Sequence, residues 1–401
     1  MNKAEKLTLK HPELGTGPVS IEPYISEEIF ELEKEKVFKK SWLSVAHESD
    51  LPETGSYITR DIAVLDTSII IVRAKDGTIK AFHNVCKHRG HRVALEKCGK
   101  TSAFRCLFHA WTYSIDGDLV AVPDEKNFFD LDKSSLGLEP VAVDTWKKFI
   151  FINVDPSPKE TLEESMGELF DQFDGYDSEG WVPAATMRIE QNCNWKLIMD
   201  AFQEAYHVIA LHENSAPQAF SSNENPFAHL NDIRLYKKHR AISVFGNPEQ
   251  NIIPSAEVNI KYANSGIYVT SENSEEQFAN TPKGVNPSKR KDYAFDISLV
   301  HPNFSFYTAY GWVLAARYWP VSAEKSVYEA TLYMPPALKP SQRVAMEQSI
   351  AHLFDVVLED ASTVERTQDI LHSGAIKTMP LSDMELAIRH GAKVIADEIE
   401  A

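Results

Sequence analysis

The chain has 401 residues, of which 43% are hydrophobic and 25% charged, and its formal net charge at pH 7 is −17. That length can form two sizeable domains, and the acidic balance argues against nucleic acid or an anionic membrane as a partner, because both attract basic surfaces. No apolar run reaches the roughly 18 residues that cross a bilayer, and Met1–Lys10 has no apolar signal-peptide core. Four cysteines provide no disulfide framework, so we expect a soluble cytoplasmic enzyme.

The first segment, residues 1–39, is predicted to be a leader followed by a helix. Pro12, Pro18 and Pro23 favour an extended leader, because proline lacks the amide proton that regular structure needs. Apolar residues recur at helical spacing over Glu27–Trp42, which predicts an amphipathic helix there.

Two β-hairpins are predicted next. Asp76-Gly77 and Asp116-Gly117 each lie between two apolar runs, and an Asp-Gly pair in that setting is typical of a tight hairpin turn. We therefore predict a small antiparallel β domain over residues 40–156. The flanking runs are Ser68–Ala74, Ile79–Phe82, Trp111–Ile115 and Leu119–Val122.

Two pairs of metal-binding residue types lie in the loops of this domain. Cys86 and His88 form a C-x-H pair, and Cys106 and His109 form a C-x-x-H pair. Two thiolates on one iron and two imidazoles on the other are the ligands of a Rieske [2Fe–2S] cluster. A structural zinc site is the alternative, although zinc fingers usually pair cysteine with cysteine and histidine with histidine.

Three apolar residues accompany the second pair. Leu107, Phe108 and Trp111 could shield a cluster from water, which would tune its reduction potential. They could equally be ordinary core residues, and the sequence leaves both interpretations open.

A second domain is predicted over residues 157–401. Pro156 and Pro158 mark the change, followed by a helical stretch over Glu160–Phe173. The domain proper is predicted to open with Gln191–His212, followed by a loop-rich region from Glu213 to about Asn286. Predicted strands are Glu257–Val269, Ala294–Leu299, Ser305–Tyr318 and Ser326–Tyr333, before a long helix over Ser341–Leu371.

The opening segment of this domain contains a second possible metal site. His207 and His212 are five residues apart, about 140° around a regular helix, so they can bind one metal only if the helix ends or distorts between them. Glu204 lies three residues before His207, on the same helix face. Two histidines and one carboxylate would form the facial triad of non-haem Fe(II) oxygenases. Alternatively, one histidine lies in the core and the other on the surface.

Together, these motifs resemble the large (α) subunits of the Rieske non-haem iron oxygenases, which hydroxylate or demethylate aromatic and related small molecules. The resemblance covers nearly the whole chain: C-x-H and C-x-x-H, then Asn194-Trp195-Lys196, then Glu204-x-x-His207-x₄-His212. It implies an α+β fold, with an antiparallel β Rieske domain followed by a helix-grip catalytic domain of antiparallel sheet plus long helix. It also implies that Asp360 on the long helix is the third ligand of a mononuclear Fe(II), near the helix's apolar face.

Two positions depart from the commonest pattern of the family. Its acid before the first iron histidine is often aspartate, whereas this chain has Glu204. In the family that carboxylate carries electrons from the Rieske histidine of a neighbouring subunit, so the resemblance implies a catalytic role for Glu204. The common C-P-Y-H-G-W is Cys106-Leu-Phe-His-Ala-Trp111 here, and without the glycine the geometry of the loop could differ.

The resemblance also implies partners. The cluster would be charged by a separate NAD(P)H-dependent reductase, with or without a ferredoxin, because no Gly-rich nucleotide-binding fingerprint lies at a strand–helix junction. The short electron route of the family runs between subunits, which implies a head-to-tail homotrimer (α₃). Whether a small β subunit joins it is not encoded in this chain.

Residues flanking the iron ligands should line the substrate pocket, and they suit a small hydrophobic or aromatic molecule that reacts with O₂. We expect mono- or cis-dihydroxylation of an aromatic ring, with oxidative O- or N-demethylation as the alternative. Other classes are a Rieske electron carrier or a zinc-containing small-ligand-binding protein. Asp200 could lie near the iron or on the helix surface. The predicted pocket residues are Asp200, Ala201, Val208, Ile209, Leu211 and Val356.

Overall fold

The computed structural model describes residues 6–176, 178, 180–216, 219–249 and 281–401. Contacts along the backbone divide the chain into two compact units. We call Lys34–Ser165 the β unit, and Met1–Glu33 with Met166–Ala401 the helix–sheet unit. The predicted domain of residues 40–156 lies within the β unit, and its boundaries stay predictions.

The β unit contains two antiparallel sheets. In spatial order the strands of the larger sheet are Leu43–His47, Phe149–Asn153, Pro140–Trp146, Ile79–His83, Thr67–Arg73, Ser56–Ile62 and Cys98–Lys100. The smaller sheet contains Ala103–Arg105, Thr112–Ser114 and Leu119–Ala121.

Both predicted hairpins are confirmed. Arg73 pairs with Ile79 across the first turn, where Gly77 has a φ of +84° that only glycine adopts without strain. Thr112 pairs with Ala121 across the second. Apolar side chains of both hairpins pack into one core, which also contains Cys86 and Cys106. The loops that hold the four cysteines and histidines are therefore fixed by the hydrophobic core beneath them.

The helix–sheet unit is built on a seven-stranded antiparallel sheet, counted over the described residues. Its strands, in spatial order, are Val182–Gln191, Lys325–Met334, Trp312–Ser322, Phe304–Ala309, Tyr293–Val300, Arg240–Phe245 and Asp232–Leu235. A two-stranded sheet pairs Val19–Ser20 with Thr378–Met379. The predicted α+β class, with a β domain followed by a sheet-plus-helix domain, is confirmed.

The described α-helices are α1 (Glu27–Lys36), α2 (Leu162–Met166), α3 (Trp195–Ala201), α4 (Val208–Leu211), α5 (Pro340–Leu371) and α6 (Leu386–Glu400). The long helix α5 packs against α3 and the edge strand Val182–Gln191. None of the described helices is both long enough and apolar enough to cross a lipid bilayer.

Helix α1 ends earlier than the sequence predicts, and α2 is shorter. The first helix stops at Lys36 and gives way to a 3₁₀ turn, because Val37 and Phe38 are both fully buried. Consecutive residues of an α-helix point about 100° apart, so a regular helix could not bury both in one direction. The helix α2 continues as a 3₁₀ segment from Gly167, which has a positive φ.

The strand predictions need three corrections. The run Ser305–Tyr318 is two strands joined by a turn at Gly311, where φ is +81°. The region predicted to be loop-rich contains the hairpin of Asp232–Leu235 and Arg240–Phe245. After Phe173 the first regular element is the strand Val182–Gln191, so regular structure begins before the predicted opening at Gln191. The predicted strand Glu257–Val269 lies outside the described residues.

Candidate metal centres

Three predicted ligands converge in the helix–sheet unit. The ligand atoms of His207, His212 and Asp360 all lie within 4.8 Å of one another. Asp360 Oδ1 lies 3.4 Å from His207 Nε2 and 3.3 Å from His212 Nε2. Asp360 is only 2% exposed, and among the described residues its Oδ1 atom has no hydrogen-bond donor of normal geometry. A buried carboxylate oxygen facing two imidazole nitrogens in this way suits a shared cation.

The two histidines lie at the ends of a one-turn helix. His207 precedes α4 and His212 follows it, and the two rings are 5.3 Å apart at 76°. The chain between α3 and α4 is a turn rather than a continuous helix. The expected break in helical geometry is thus found around the two residues, and it brings both side chains to one point.

A carboxylate holds the outer nitrogen of each imidazole. Glu204 accepts a hydrogen bond from His207 Nδ1, and Glu359 lies 2.7 Å from His212 Nδ1 through its Oε2 atom. A carboxylate beside Nδ1 favours the tautomer with the proton on Nδ1 and the lone pair on Nε2. Both lone pairs are therefore directed towards Asp360.

The electrostatics of this group also favour a cation. Burial alone lowers the pKa of both imidazoles, but the neighbouring carboxylates outweigh it. Glu204 and Asp360 raise the pKa of His207, and Asp360 and Glu359 raise that of His212. Metal–ligand bonds of about 2.1 Å place neighbouring donors roughly 3–3.5 Å apart, and Asp360 Oδ1 lies at such a distance from both Nε2 atoms. Two imidazoles and a carboxylate thus fit a mononuclear Fe(II).

The Asn-Trp-Lys motif anchors α3 beneath this group. The Asn194 side chain caps the helix by accepting a hydrogen bond from the backbone N–H of Lys196. The backbone N–H of Asn194 donates to Gln368 Oε1 on α5 at 2.9 Å. Trp195 Nε1 and Lys196 Nζ both donate to Glu33, which is fully buried. The motif therefore fixes α3 to α1 and α5, and so positions the histidine segment that follows.

A cavity adjoins the three ligands. Of the predicted pocket residues, Ala201, Val208 and Val356 line it, as does Glu204. Its wall is mostly apolar and aromatic, and the described lining contains no lysine or arginine. The aromatic lining residues are Phe202, Phe220, Phe295, Tyr307 and Trp312.

Three predicted pocket residues do not line this cavity: Asp200, Ile209 and Leu211. Asp200 accepts a hydrogen bond from the Tyr24 hydroxyl at 2.7 Å and lies 3.8 Å from Arg240 Nη2. Burial raises its pKa to about 6. Successive helical residues point about 100° apart, so α3 turns Ala201 towards the cavity and its neighbour away from it. The prediction for Asp200 is corrected on this basis.

The aromatic wall supplied by the sheet was not predicted from the sequence. Phe295, Tyr307 and Trp312 come from three neighbouring strands and lie on one face. Strand alternation could have grouped such residues by face. It could not have shown which face meets the histidines.

The two cysteine–histidine loops of the β unit share one backbone design. In the first, Cys86 N donates to His91 O, and Gly90 N donates to Cys86 O. In the second, Cys106 N donates to Trp111 O, and Ala110 N donates to Cys106 O. Gly90 and Ala110 occupy the same position and both have positive φ, at +76° and +58°. Each loop therefore presents its cysteine in the same way, whereas the histidine comes two residues after the cysteine in the first loop and three residues after it in the second.

These residues fit a [2Fe–2S] cluster. Cys86 and Cys106 are buried, and the rings of His88 and His109 are 4.4 Å apart. His88 Nδ1 is buried without a hydrogen-bond partner among the described residues, so it is free to act as a ligand. The Tyr113 hydroxyl lies 3.3 Å from Cys86 Sγ, where it can donate to a thiolate.

The three apolar neighbours of the second pair have different roles. Trp111 is 3% exposed and stacks on His88, with ring centroids 4.9 Å apart and planes 8° apart. Leu107 and Phe108 are 73% and 50% exposed, so they are not core residues. The Arg89 guanidinium lies 5.0 Å from the Phe108 ring centroid. The core interpretation is therefore correct for Trp111, which packs in the core of the β unit, and wrong for Leu107 and Phe108. Shielding of the cluster stays a prediction.

Two family models match the chain. The Rieske [2Fe–2S] domain matches residues 41–146, and the catalytic domain of ring-hydroxylating α subunits matches residues 178–401. The first match decides between the two alternatives for the cysteine–histidine set: the cofactor is an iron–sulfur cluster, not zinc.

Relatives and solved structures agree with these matches. The carnitine monooxygenase oxygenase subunit of Acinetobacter baumannii is 37% identical over 196 residues, which is 48% of this chain and 52% of that protein. The glycine betaine monooxygenase oxygenase subunit of Chromohalobacter salexigens is 35% identical over 189 residues, 47% of this chain and 42% of that protein. The chain spans about half the length of the curated relatives it matches.

Two solved structures superpose over nearly the whole chain. A quaternary ammonium Rieske monooxygenase, described with carnitine oxidation and inter-subunit electron transfer, is 25% identical with a TM-score of 0.74 and covers 95% of both chains. Naphthalene 1,2-dioxygenase from Rhodococcus sp. is 22% identical with a TM-score of 0.76, covering 98% of this chain and 97% of the other. The second likeness supports the fold alone.

Proposed function

Because this chain belongs to the family of ring-hydroxylating α subunits, whose catalytic-domain model matches more than half of it, we propose that it is the terminal oxygenase of a Rieske oxygenase system. The observation that carries the proposal is the convergence of His207, His212 and Asp360 beside an aromatic-lined cavity. A Rieske electron carrier needs only the cluster site, and the triad distinguishes this chain from that class.

The residues divide the work between two sites. Cys86, Cys106, His88 and His109 would hold the cluster, and the triad would hold the iron. When bound, these groups supply one-electron transfer and dioxygen activation. The triad would supply three donors to the iron, and the cavity that these residues line would admit the substrate beside them.

Glu204 and the cavity wall complete the site. Glu204 holds the His207 ring in one orientation and, as in the family it resembles, would connect that ring to the electron supply. The aromatic wall excludes water from the reacting atoms and positions an apolar substrate against the ligands.

We also propose that the protein works with partners. A separate NAD(P)H reductase, with or without a ferredoxin, would charge the cluster. A homotrimer would supply the electron route from the cluster of one subunit to the triad of the next, in keeping with the inter-subunit electron transfer described for the similar quaternary ammonium monooxygenase.

The cavity favours a small, neutral aromatic or hydrophobic substrate. Its described wall combines five aromatic side chains with aliphatic ones, and its only charged groups are Glu204 and the triad carboxylate. We propose ring hydroxylation, either mono- or cis-dihydroxylation, as the reaction.

N-demethylation of a quaternary ammonium compound is the second candidate. Curated relatives include carnitine and glycine betaine monooxygenase subunits, as well as a biphenyl dioxygenase α subunit. A trimethylammonium group could rest against the aromatic wall through cation–π contacts. The carboxylate of a compound such as carnitine, however, would find no lysine or arginine among the described lining residues.

A product screen with a surrogate reductase separates the two candidates. The full chain, with both metal sites loaded, is given ¹⁸O₂ with a panel of aromatics and a panel of trimethylammonium compounds. Labelled hydroxylated product supports ring hydroxylation, and formaldehyde released with a demethylated amine supports the second candidate. Asp360→Ala is the control that should give neither product. Turnover of Asp360→Ala equal to that of the parent would contradict the proposal.

A further inference from the structure

Glu359 makes a contact that the functions above do not use. Its Oε2 atom lies 2.7 Å from His212 Nδ1 and accepts a hydrogen bond of 2.5 Å from the Ser215 hydroxyl. The Glu359 side chain is 33% exposed, so this carboxylate lies at the edge of the site rather than in the cavity.

One helix supplies both contacts on His212. Asp360, the next residue of α5, faces the Nε2 atom of the same imidazole at 3.3 Å. Adjacent helical residues point about 100° apart, which allows Asp360 to face the ring from one side while Glu359 reaches its outer nitrogen. The orientation of His212 is therefore set by two carboxylates on one rigid element.

The same helix also fixes the chain that follows His212. His352, two turns earlier on α5, donates from Nε2 to the backbone carbonyl of Ser215 at 2.7 Å. Because its hydroxyl also donates to Glu359, Ser215 is hydrogen-bonded to α5 at two points. The chain from His212 to Ser215 is thus held against α5 by these hydrogen bonds.

We propose that Glu359 is a positioning residue for the mononuclear iron site, holding His212 with its proton on Nδ1 and its Nε2 lone pair directed at the metal. The inference rests on the proposed function, because it presumes that His212 is an iron ligand. A histidine ligand whose outer nitrogen loses its carboxylate can rotate or change tautomer, and such a loss typically weakens metal binding about 10–100-fold.

Its role differs from that of Glu204. Glu204 holds His207 and is proposed to connect that ring to the electron supply. The contacts of Glu359 are with His212 and Ser215. Loss of Glu359 should therefore weaken iron retention, and turnover should recover when Fe(II) is in excess.

Equilibrium Fe(II) affinity tests this directly. The full chain with its cluster loaded is stripped of mononuclear iron and titrated with Fe(II) against a competing chelator. Glu359→Ala should bind Fe(II) about 10–100-fold more weakly than the parent. Glu359→Gln, whose amide oxygen can still accept the Nδ1 proton, should lose less. Asp355→Ala, an exposed acid one turn earlier on α5, is the matched control and should bind as the parent does.

Electron paramagnetic resonance of the nitric oxide adduct of the ferrous site gives a second reading. Glu359→Ala should change the line shape, because His212 is no longer held in one orientation, and Glu359→Gln should largely restore it. An alanine variant with affinity within about two-fold of the parent and an unchanged line shape would overturn the inference.

Two further outcomes are distinguishable. If Glu359→Ala fails to fold, as seen in the cluster absorption, Glu359→Met keeps the side-chain volume without the acceptor and is judged by the same criteria. If the parent itself binds no Fe(II) at the triad, the proposed function fails rather than this inference.

Discussion

Ala110 is the residue at which the second cluster loop departs from the commoner glycine. It adopts the φ of +58° that glycine would take, and it forms the same hydrogen bond to its cysteine as Gly90 does in the first loop. A residue with a Cβ atom adopts this region at a cost of about 1–2 kcal/mol. The loop geometry that the sequence left in doubt is therefore retained, at the expense of local strain.

Exchanging the residues at these two positions should have opposite effects. Gly90→Ala should lower the free energy of unfolding by about 1–2 kcal/mol from strain alone, because an added Cβ atom meets nothing within 4 Å. Ala110→Gly should raise it by about 0.5–1 kcal/mol, since part of the relief is offset by the flexibility of glycine in the unfolded chain. Denaturant unfolding followed by the cluster absorption measures both. Equal destabilisation by both changes would contradict the account.

Tyr113 should tune the cluster. Its hydroxyl lies 3.3 Å from Cys86 Sγ, and a donor to a ligand sulfur stabilises the reduced, more negative state. Tyr113→Phe should lower the reduction potential by about 40–60 mV, corresponding to the ~1–1.5 kcal/mol of one hydrogen bond. Potentiometric titration measures the change. Tyr57→Phe, in the same unit, is the control, and an equal shift in both variants would exclude the hydrogen bond as the cause.

Glu204 should be needed for turnover even when excess Fe(II) keeps the metal sites occupied. With Fe(II) in excess, Glu204→Ala should retain three irons and two sulfides per chain and lose at least about 10–100-fold in substrate turnover. Single-turnover product analysis with chemically reduced protein checks this, beside Glu224→Ala as an exposed control. Near-parental turnover of Glu204→Ala would remove Glu204 from the electron route.

At the scale of elements, an acidic residue of helix α6 links this helix to two loops of the seven-stranded sheet. Glu398 lies 2.8 Å from His301 Nε2 and 2.7 Å from Lys238 Nζ. Burial opposes its ionisation, but the charge and hydrogen bond of His301 and the contact with Lys238 outweigh it and lower the pKa of Glu398 to about 2. A carboxyl group whose pKa is lowered on folding stabilises the fold above its unfolded value of 4.5 and loses that effect as the pH falls towards 2.

Glu398→Gln should therefore destabilise the protein in a pH-dependent way. Near neutral pH the free energy of unfolding should fall by about 2–3 kcal/mol, and the gap to the parent should close between about pH 4.5 and pH 2. Urea unfolding over a pH series tests the sign. A gap that stays constant across this range would show that the charge of Glu398 is not responsible.

Elements were predictable where local chemistry decides them. The Asp-Gly turns predicted both hairpins of the β unit, and the helical pattern predicted α5 within one residue at its start. The hairpin ending in Arg240–Phe245 was missed, because its inward-facing Arg240 is charged and breaks the apolar pattern. Arg240 is buried beside Asp200 through a tertiary contact, which a short stretch of sequence around Arg240 cannot reveal.

The same limit applies to the candidate site. The candidate ligands were predicted because their residue types and spacing are rare, and Asp360 was predicted through the resemblance and the apolar face of its helix. Glu359 was not given a role, because its contact with His212 joins positions 147 residues apart. Asp200 was misplaced for a related reason: its partners Tyr24 and Arg240 lie 176 and 40 residues away in the sequence.

At the scale of the whole molecule, the chain combines a candidate cluster site in the β unit with a triad and cavity in the helix–sheet unit. The family matches imply both cofactors, and the geometry of each candidate site fits its group separately. Their cooperation is the central claim, since neither site alone would make a terminal oxygenase.

Iron and acid-labile sulfide analysis, with the absorption spectrum, tests that claim most directly. The account predicts three irons and two sulfides per chain in the parent. In Asp360→Ala it predicts two irons and two sulfides with an unchanged Rieske spectrum, because the triad is lost and the cluster is kept. Two irons in both proteins would contradict the oxygenase assignment and indicate an electron carrier. Zinc without sulfide would contradict both cofactor assignments.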